Sequence, residues 1–250
     1  MSSIAAILKQ TAHRPWPLPT APWRGFMRWR DLAFLHWPVP AGLLEARLPA
    51  GLELDRYDGQ AWIGVVPFRM QGVRHRWLPP VPTATTFAEI NVRTYVRAGG
   101  RAGVWFFSLD AASRLAVRGA RRGFNLPYFD AAMRMQREGS TLAYESRRTH
   151  PGAPPAEFRG TYLPVGEPYH ALRATLDHWL TERYCFFGED RSGRLYRVDV
   201  HHEPWPLQGA TASIERNTMT EAAGVPLPDS APLAHFASSL DVVAWAPVRL

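Results

Sequence analysis

Phe87-Ala88-Glu89-Ile90-Asn91-Val92-Arg93-Thr94-Tyr95-Val96 is the most informative segment of the sequence. Its β-branched and aromatic residues suit a pleated strand. Successive strand side chains point to opposite faces, so Glu89, Asn91, Arg93 and Tyr95 share one face and Ile90, Val92 and Val96 the other. The plain reading packs the apolar face on a core and turns the polar face to water. The alternative sets the polar face along a cavity, where Glu89 and Arg93 pair across one i+4 step and burial tunes them.

On either side of it, Gly103–Leu109 is a second strand, joined to the first by the turn Ala98-Gly99-Gly100, and Ala61–Phe68 is a third. A helix is expected from Ala111 to Arg122, with Asp110 as its cap, Leu115 and Ala116 on one face, and Gly123 at its stop. Met133–Gln136 and Leu142–Arg148 flank a Glu138-Gly139-Ser140 turn. Phe158–Leu163, Cys185–Phe187, Leu195–His201, Ala210–Arg216 and Leu240–Ala244 continue the strand series. Short helices are expected after Pro40, across Thr175–Arg183 and near Thr218–Ala223. So many short strands with few helices predict a mostly β (α+β) fold, an antiparallel barrel or sandwich with helical additions. Residues 1–22 read as a Pro-rich extended arm, and residues 23–250 as a single domain, with the Pro151–Pro155 break as a surface loop.

Composition narrows the function classes. With 250 residues, 46% hydrophobic and 20% charged, the chain is long enough for one sizeable core. Aromatics make up 12%, which suits sheet faces and pocket walls. Apolar runs fall well short of a bilayer span, the N-terminus lacks the charged start of a secretory signal, and Cys185 is the single cysteine. A cytoplasmic protein without a membrane partner is expected. The net charge is +7, and of 29 lysines and arginines only Lys9 is a lysine. The arginines are scattered, without a zinc-finger, helix-turn-helix or RNA-recognition pattern, so no nucleic-acid partner is expected. A homo-oligomer is left open.

Common catalytic motifs are missing from the sequence: no G-x-S-x-G elbow, no P-loop and no G-x-G-x-x-G opening a helix. The nine histidines show no H-x-x-x-H or H-x-H spacing, and His201 and His202 point to opposite faces of a strand. No metal and no cofactor are expected. Cys185, between Tyr184 and Phe186, reads as a small core residue.

A resemblance adds to this reading. Arg30-Asp31-Leu32, Leu48-Pro49-Ala50-Gly51-Leu52, Phe87-x-Glu89, Ala120-Arg121-Arg122 with Leu126-Pro127-Tyr128, and His202-Glu203-Pro204-Trp205 resemble, in order and spacing, segments of the acetoacetate decarboxylases. The likeness to the YqjF-like group of that superfamily is denser. It includes His36-Trp37-x-Val39-Pro40, Trp62–Met70 (WIGVVPFRM), Glu89–Val96, Val104–Asp110 and His201-His202-x-Pro204-Trp205-Pro206-Leu207. The resemblance implies a bent antiparallel β barrel or cone around a central pocket.

It also implies a departure in chemistry. The decarboxylases use a lysine amine of lowered pKa to attack a ketone. At the matching positions this chain has Tyr128 and Phe129, and Lys9 lies in the leader, so a Schiff base is not expected. By the resemblance, Arg30 is the candidate carboxylate clamp and Glu89 the candidate acid or base. Tyr128 is a candidate hydrogen-bond donor to a carbonyl or enolate oxygen. His36, Asn91, Arg93, His202 and Trp205 complete the candidate ligand-binding set. The expected partner is a small organic acid or carbonyl compound, either bound or turned over by a lyase, hydrolase or isomerase chemistry using Arg30, Glu89 and Tyr128; a non-catalytic structural or partner-binding role is the remaining alternative. The plainer roles are a surface ion pair for Arg30, a packed ring for Tyr128 and a structural histidine for His36.

Overall fold

The computed structural model describes residues 4–77 and 85–250. Along the chain run α1 (Ile4–Lys9), β1 (Gly25–Val39), α2 (Ala41–Glu45), β2 (Glu53–Leu54), β3 (Ala61–His75), β4 (Phe87–Ala98) and β5 (Arg101–Ala111). Then come α3 (Arg114–Phe124), β6 (Tyr128–Glu138), β7 (Thr141–Arg148), β8 (Glu157–Tyr169) and α4 (Leu176–Thr181). β9 (Cys185–Glu189), β10 (Leu195–His201), β11 (Leu207–Asn217), β12 (Leu233–Ala244) and β13 (Val248–Arg249) finish it.

The strands form one sheet in the order β13-β10-β9-β5-β6-β7-β8-β11-β12-β1-β3-β4-β2. Additional β4–β5 and β10–β12 pairings tie it back on itself. The result is a bent cone rather than a closed barrel. Its ladders are antiparallel except where β5 meets β6 and β9.

The middle strands are buried on both faces, which explains their near-continuous apolar sequence. On β3, Ala61, Ile63 and Val65 pack into one cluster and Val66, Phe68 and Met70 into another. β4 carries Ile90 and Val92 into the first cluster, with Tyr144, Phe158 and Phe236. Its opposite face, bearing Glu89, Asn91 and Arg93, is buried as well. The polar face of this strand therefore meets an interior, not water.

Three local expectations are corrected. Residues 4–9 are helical instead of extended, because Ile7 is fully buried and His201 Nε2 meets the Ile7 carbonyl at 2.9 Å. Arg14 anchors the rest of the segment by donating to the Val200 carbonyl at 2.6 Å; the first three residues lie outside the described ones. The cap of α3 is Ser113, whose hydroxyl accepts from the Ala116 N–H at 3.3 Å, and Asn125 in the left-handed conformation (φ 49°) ends the helix. Val117 is the buried residue of α3, while Leu115 is exposed. Asp110 belongs to β5, where Arg148 grips both its carboxylate oxygens at 2.7 Å.

The 15-residue β1 lies at the heart of the sheet, between β12 and β3, and alternation in the sequence did not reveal it. The reason is local. Asp31 has φ 51°, and the β1–β3 register shifts between Arg30 and Leu35. This bulge breaks the period of two, so Trp29 and Leu32, three positions apart, both turn to the same interior space. Among the described residues no helix is long and apolar enough to cross a membrane.

Candidate functional site

That interior space is a cavity of about 680 Å³, within the usual range for small-molecule sites. β1, β3, β4, β5, β6, β9, β10, β12, α3 and the segment after β10 all supply lining residues. Period two on β4 lays Glu89, Asn91 and Arg93 in a row along it. Tyr128 enters from the start of β6, and His202 and Trp205 from the segment after β10. Trp29, Phe68, Met70, Phe106 and Phe186 give the space an apolar lining.

Glu89 and Tyr128 form one unit. The Tyr128 hydroxyl donates to Glu89 Oε2 at 3.1 Å, and Tyr144 donates to the Glu89 carbonyl at 2.7 Å from behind. Burial pushes the Glu89 carboxyl up to about 8; the Tyr128 hydrogen bond pulls it down and the charge of Asp110 adds to the rise. At neutral pH the carboxyl holds its proton. Burial first, and then Glu89, drives the Tyr128 hydroxyl well above its ordinary range. The pair is an uncharged donor and acceptor site facing the cavity.

Arg93 is not the partner of Glu89. Four residues of strand span about 13 Å, so the i+4 step shares a face but not a contact. No ion pair involves Arg93 among the described residues. Its guanidinium lies over the ring of Phe34 (5.1 Å) and donates to the Leu180 carbonyl at 3.4 Å; its buried Nε has no hydrogen-bond partner. Neighbouring Arg183, by contrast, is neutralised by Asp55 at 2.7 Å. Arg93 thus stands buried on the cavity wall without an ion-pair partner among the described residues.

The remaining candidates divide. Asn91 reaches the cavity with its Oδ1 unpartnered. Trp205 stacks on Trp29 at 5.6 Å and is held by its backbone N–H donating to Glu182 Oε1 at 2.8 Å, while His202 stacks on Tyr184 at 4.7 Å, and burial lowers the His202 pKa. His36 sits one layer behind the wall, fully buried, with Nε2 2.6 Å from the Tyr95 hydroxyl. Burial and the charge of Arg93 hold it neutral. Arg30 does not join them. It is exposed, in a shallow outer groove with Gln10, Arg28 and Glu203. The Asp31 bulge sends Trp29 inward and leaves Arg30 outside. Lys9 is exposed at the end of α1 and is not among the cavity residues. Sequence reasoning passed over Trp29, whose signal was a lone tryptophan between two arginines, and over Arg183 as a wall residue.

The cone and its cavity define the class of protein. Acetoacetate decarboxylase from Legionella pneumophila superposes with a TM-score of 0.62 at 15% identity, covering 98% of this chain and 94% of the other. The enduracididine biosynthesis enzyme MppR, complexed with pyruvate, superposes with a TM-score of 0.59 at 11% identity, covering 94% and 93%. At such identities the likeness establishes the acetoacetate decarboxylase-like fold. More narrowly, the profile of the DUF2071 family, described as an uncharacterized conserved protein, matches residues 26–241, and the chain belongs to that family. The uncharacterized protein YqjF of Bacillus subtilis (strain 168) is 46% identical over 232 residues, 93% of this chain and 94% of the relative.

Proposed function

We propose that the cavity binds a small organic acid or carbonyl compound, with Arg93 as the carboxylate receptor and the Glu89–Tyr128 pair as the polar contact for a second oxygen. One observation carries the reading: Arg93 is buried at the cavity wall with no ion-paired carboxylate among the described residues. Leaving such a cation unpaired is costly, and an incoming carboxylate removes the cost. Arg30, on the outer surface, takes no part.

Glu89, protonated, donates a hydrogen bond to a ligand carbonyl, and Tyr128, whose hydroxyl donates to Glu89 Oε2 at 3.1 Å, holds the carboxyl in position. A positioned donor aimed at one oxygen polarises a carbonyl and stabilises an enolate. The second reading is therefore an enzyme of lyase, hydrolase or isomerase type acting on an oxo-acid, in which Glu89 moves a proton. The pyruvate in the MppR complex fits the same ligand chemistry. Neither reading routes through an amine, since by the sequence resemblance Tyr128 and Phe129 take the place of the decarboxylases' lysines and Lys9 is not among the cavity residues.

The test is a thermal-shift screen of oxo-acids, hydroxy acids and aromatic acids. A ligand at a hundred times its Kd stabilises the fold by about 2.7 kcal/mol. The expected hit is lost in Arg93→Ala and retained in Arg30→Ala. Retention in Arg93→Ala would overturn the assignment. Turnover of the hit, abolished by Glu89→Gln, would select the enzymatic reading.

A further inference from the structure

We infer that the ligand is an amphipathic acid, a carboxylate carrying a linear or aromatic apolar body that fills the cavity from Arg93 to the surface. The inference deepens the preceding reading and rests on it. A three-carbon acid held at Arg93 would leave most of the 680 Å³ unfilled.

The cavity has a direction. At its deep end are Arg93, Thr181 and Arg183. At its surface end the lining residues are exposed: Arg24, Arg74 and His75 on one side, Gly123, Phe124 and Pro247 on the other. β4 runs between these ends, and from Phe87 to Arg93 six strand residues cover about 20 Å. That path is walled by Phe87, Met70, Phe68, Leu32, Trp29 and Phe106. Glu89, uncharged at neutral pH, and its partner Tyr128 interrupt it part-way.

The surface end matches the same ligand. Arg24 lies over the ring of Trp77 at 4.4 Å, and Arg74 over that of Phe26 at 5.0 Å. Neither arginine has an ion pair among the described residues. A cationic rim with aromatic faces raises the local concentration of anions and offers apolar area to their bodies. The carboxylate is drawn in, passes an apolar passage and is held at Arg93, where the unpartnered Nε awaits an acceptor.

The test is calorimetric titration of the intact protein with pyruvate, phenylpyruvate and the saturated monocarboxylates from acetate to myristate. Methyl esters of the longer acids serve as a control that needs no variant. The expected result is a Kd that tightens roughly fourfold with each methylene until the passage is filled, then levels off. The esters and Arg93→Gln should bind the same chains at least tenfold more weakly. Arg93-dependent binding of pyruvate without a gain from chain length would overturn this inference and leave the organic-acid reading standing. Chain-length dependence with equal affinity for acid and ester would overturn the acid reading and this one with it. No binding by any probe would overturn both.

Discussion

The Tyr128 hydroxyl stands 3.1 Å from Glu89 Oε2, across the cavity wall between β6 and β4, and the carboxyl it meets is buried enough to keep its proton to about pH 8. A carboxylic acid rather than a carboxylate therefore faces the cavity at neutral pH. This matters for function because a neutral acid donates a hydrogen bond to a ligand oxygen, whereas a carboxylate would repel an incoming anion. It also leaves Arg93 as the uncompensated charge of the same strand face.

The first prediction concerns stability against pH. The native carboxyl of Glu89 titrates near 8 and the unfolded one near 4.5, so between these values the native state binds more protons. Stability attributable to this group is complete below the lower value and is lost as pH rises through the upper one. Glu89→Gln should remove that slope. Urea midpoints from about pH 5 to about pH 9 should fall less steeply in the variant than in the parent, with the variant the more stable at the alkaline end. Parallel profiles would show that Glu89 titrates normally.

Tyr128→Phe tests the pair from the other side. The hydroxyl favours the ionised carboxyl, so its removal should move the Glu89 titration above about 8. Infrared or carbon-detected NMR titration of the side-chain carboxyl reads this directly. A downward move would mean that the hydroxyl accepts from a protonated Glu89 instead.

How much of this was legible in the sequence depends on the range of the interaction. The alternating face of β4 is legible, since period two is a local property and Glu89, Asn91 and Arg93 do share the cavity, whereas Tyr95, the fourth residue of that face, packs on Trp179 and meets His36. The pairing of Glu89 with Arg93 is not, because a shared face says nothing about the extension of the strand between them. Arg30 is a candidate by resemblance alone; it lies outside the cavity, beside Asp31, whose φ of 51° marks a break in the phase of β1 that local sequence does not signal. Asp110 before a helix looks like a cap from local signals alone. Its partner, Arg148, lies 38 positions away and becomes visible only once β5, β6 and β7 are laid side by side.

That ion pair yields a third prediction. Asp110 and Arg148 are almost wholly buried, at 0% and 3% side-chain exposure. Burial pushes the Asp110 carboxyl upward against the pull of Arg148. Removing one partner strands the other charge, so Arg148→Ala should cost about 3–5 kcal/mol. Replacing both with apolar residues of similar volume should restore most of the loss. Equal damage from the single and double variants in denaturant melts would argue that packing, not charge, is at stake.

A fourth prediction uses Gly64, which faces His36 across β1 and β3. A Cβ at this position would lie 2.9 Å from His36 Cδ2 and 3.1 Å from Nε2. Gly64→Ala must push the ring off the Tyr95 hydroxyl, which it now meets at 2.6 Å, and Tyr95 in turn donates to the Leu180 carbonyl beside Arg93. Overpacking of this kind costs about 1–3 kcal/mol. Ligand affinity should fall along with stability. Loss of stability with unchanged affinity would place His36 outside the support of the site.

Cys185 gives the last prediction, and a probe for the rest. Its thiol is 1% exposed and burial pushes its pKa up to about 12, with the charge of Asp199 adding to the rise. The thiolate is the reactive species, so almost none is present at neutral pH and reagents have little access. As the chain has a single cysteine, labelling by a thiol reagent should follow opening of the fold around β9 and nothing else. The native rate should be orders of magnitude below that of the unfolded chain, and a ligand that fills the cavity should slow it further, because Cys185 is part of the wall. Rapid labelling of the folded protein would contradict the burial of β9. Protection that disappears with Arg93→Gln would tie the ligand to the arginine without any assay of turnover.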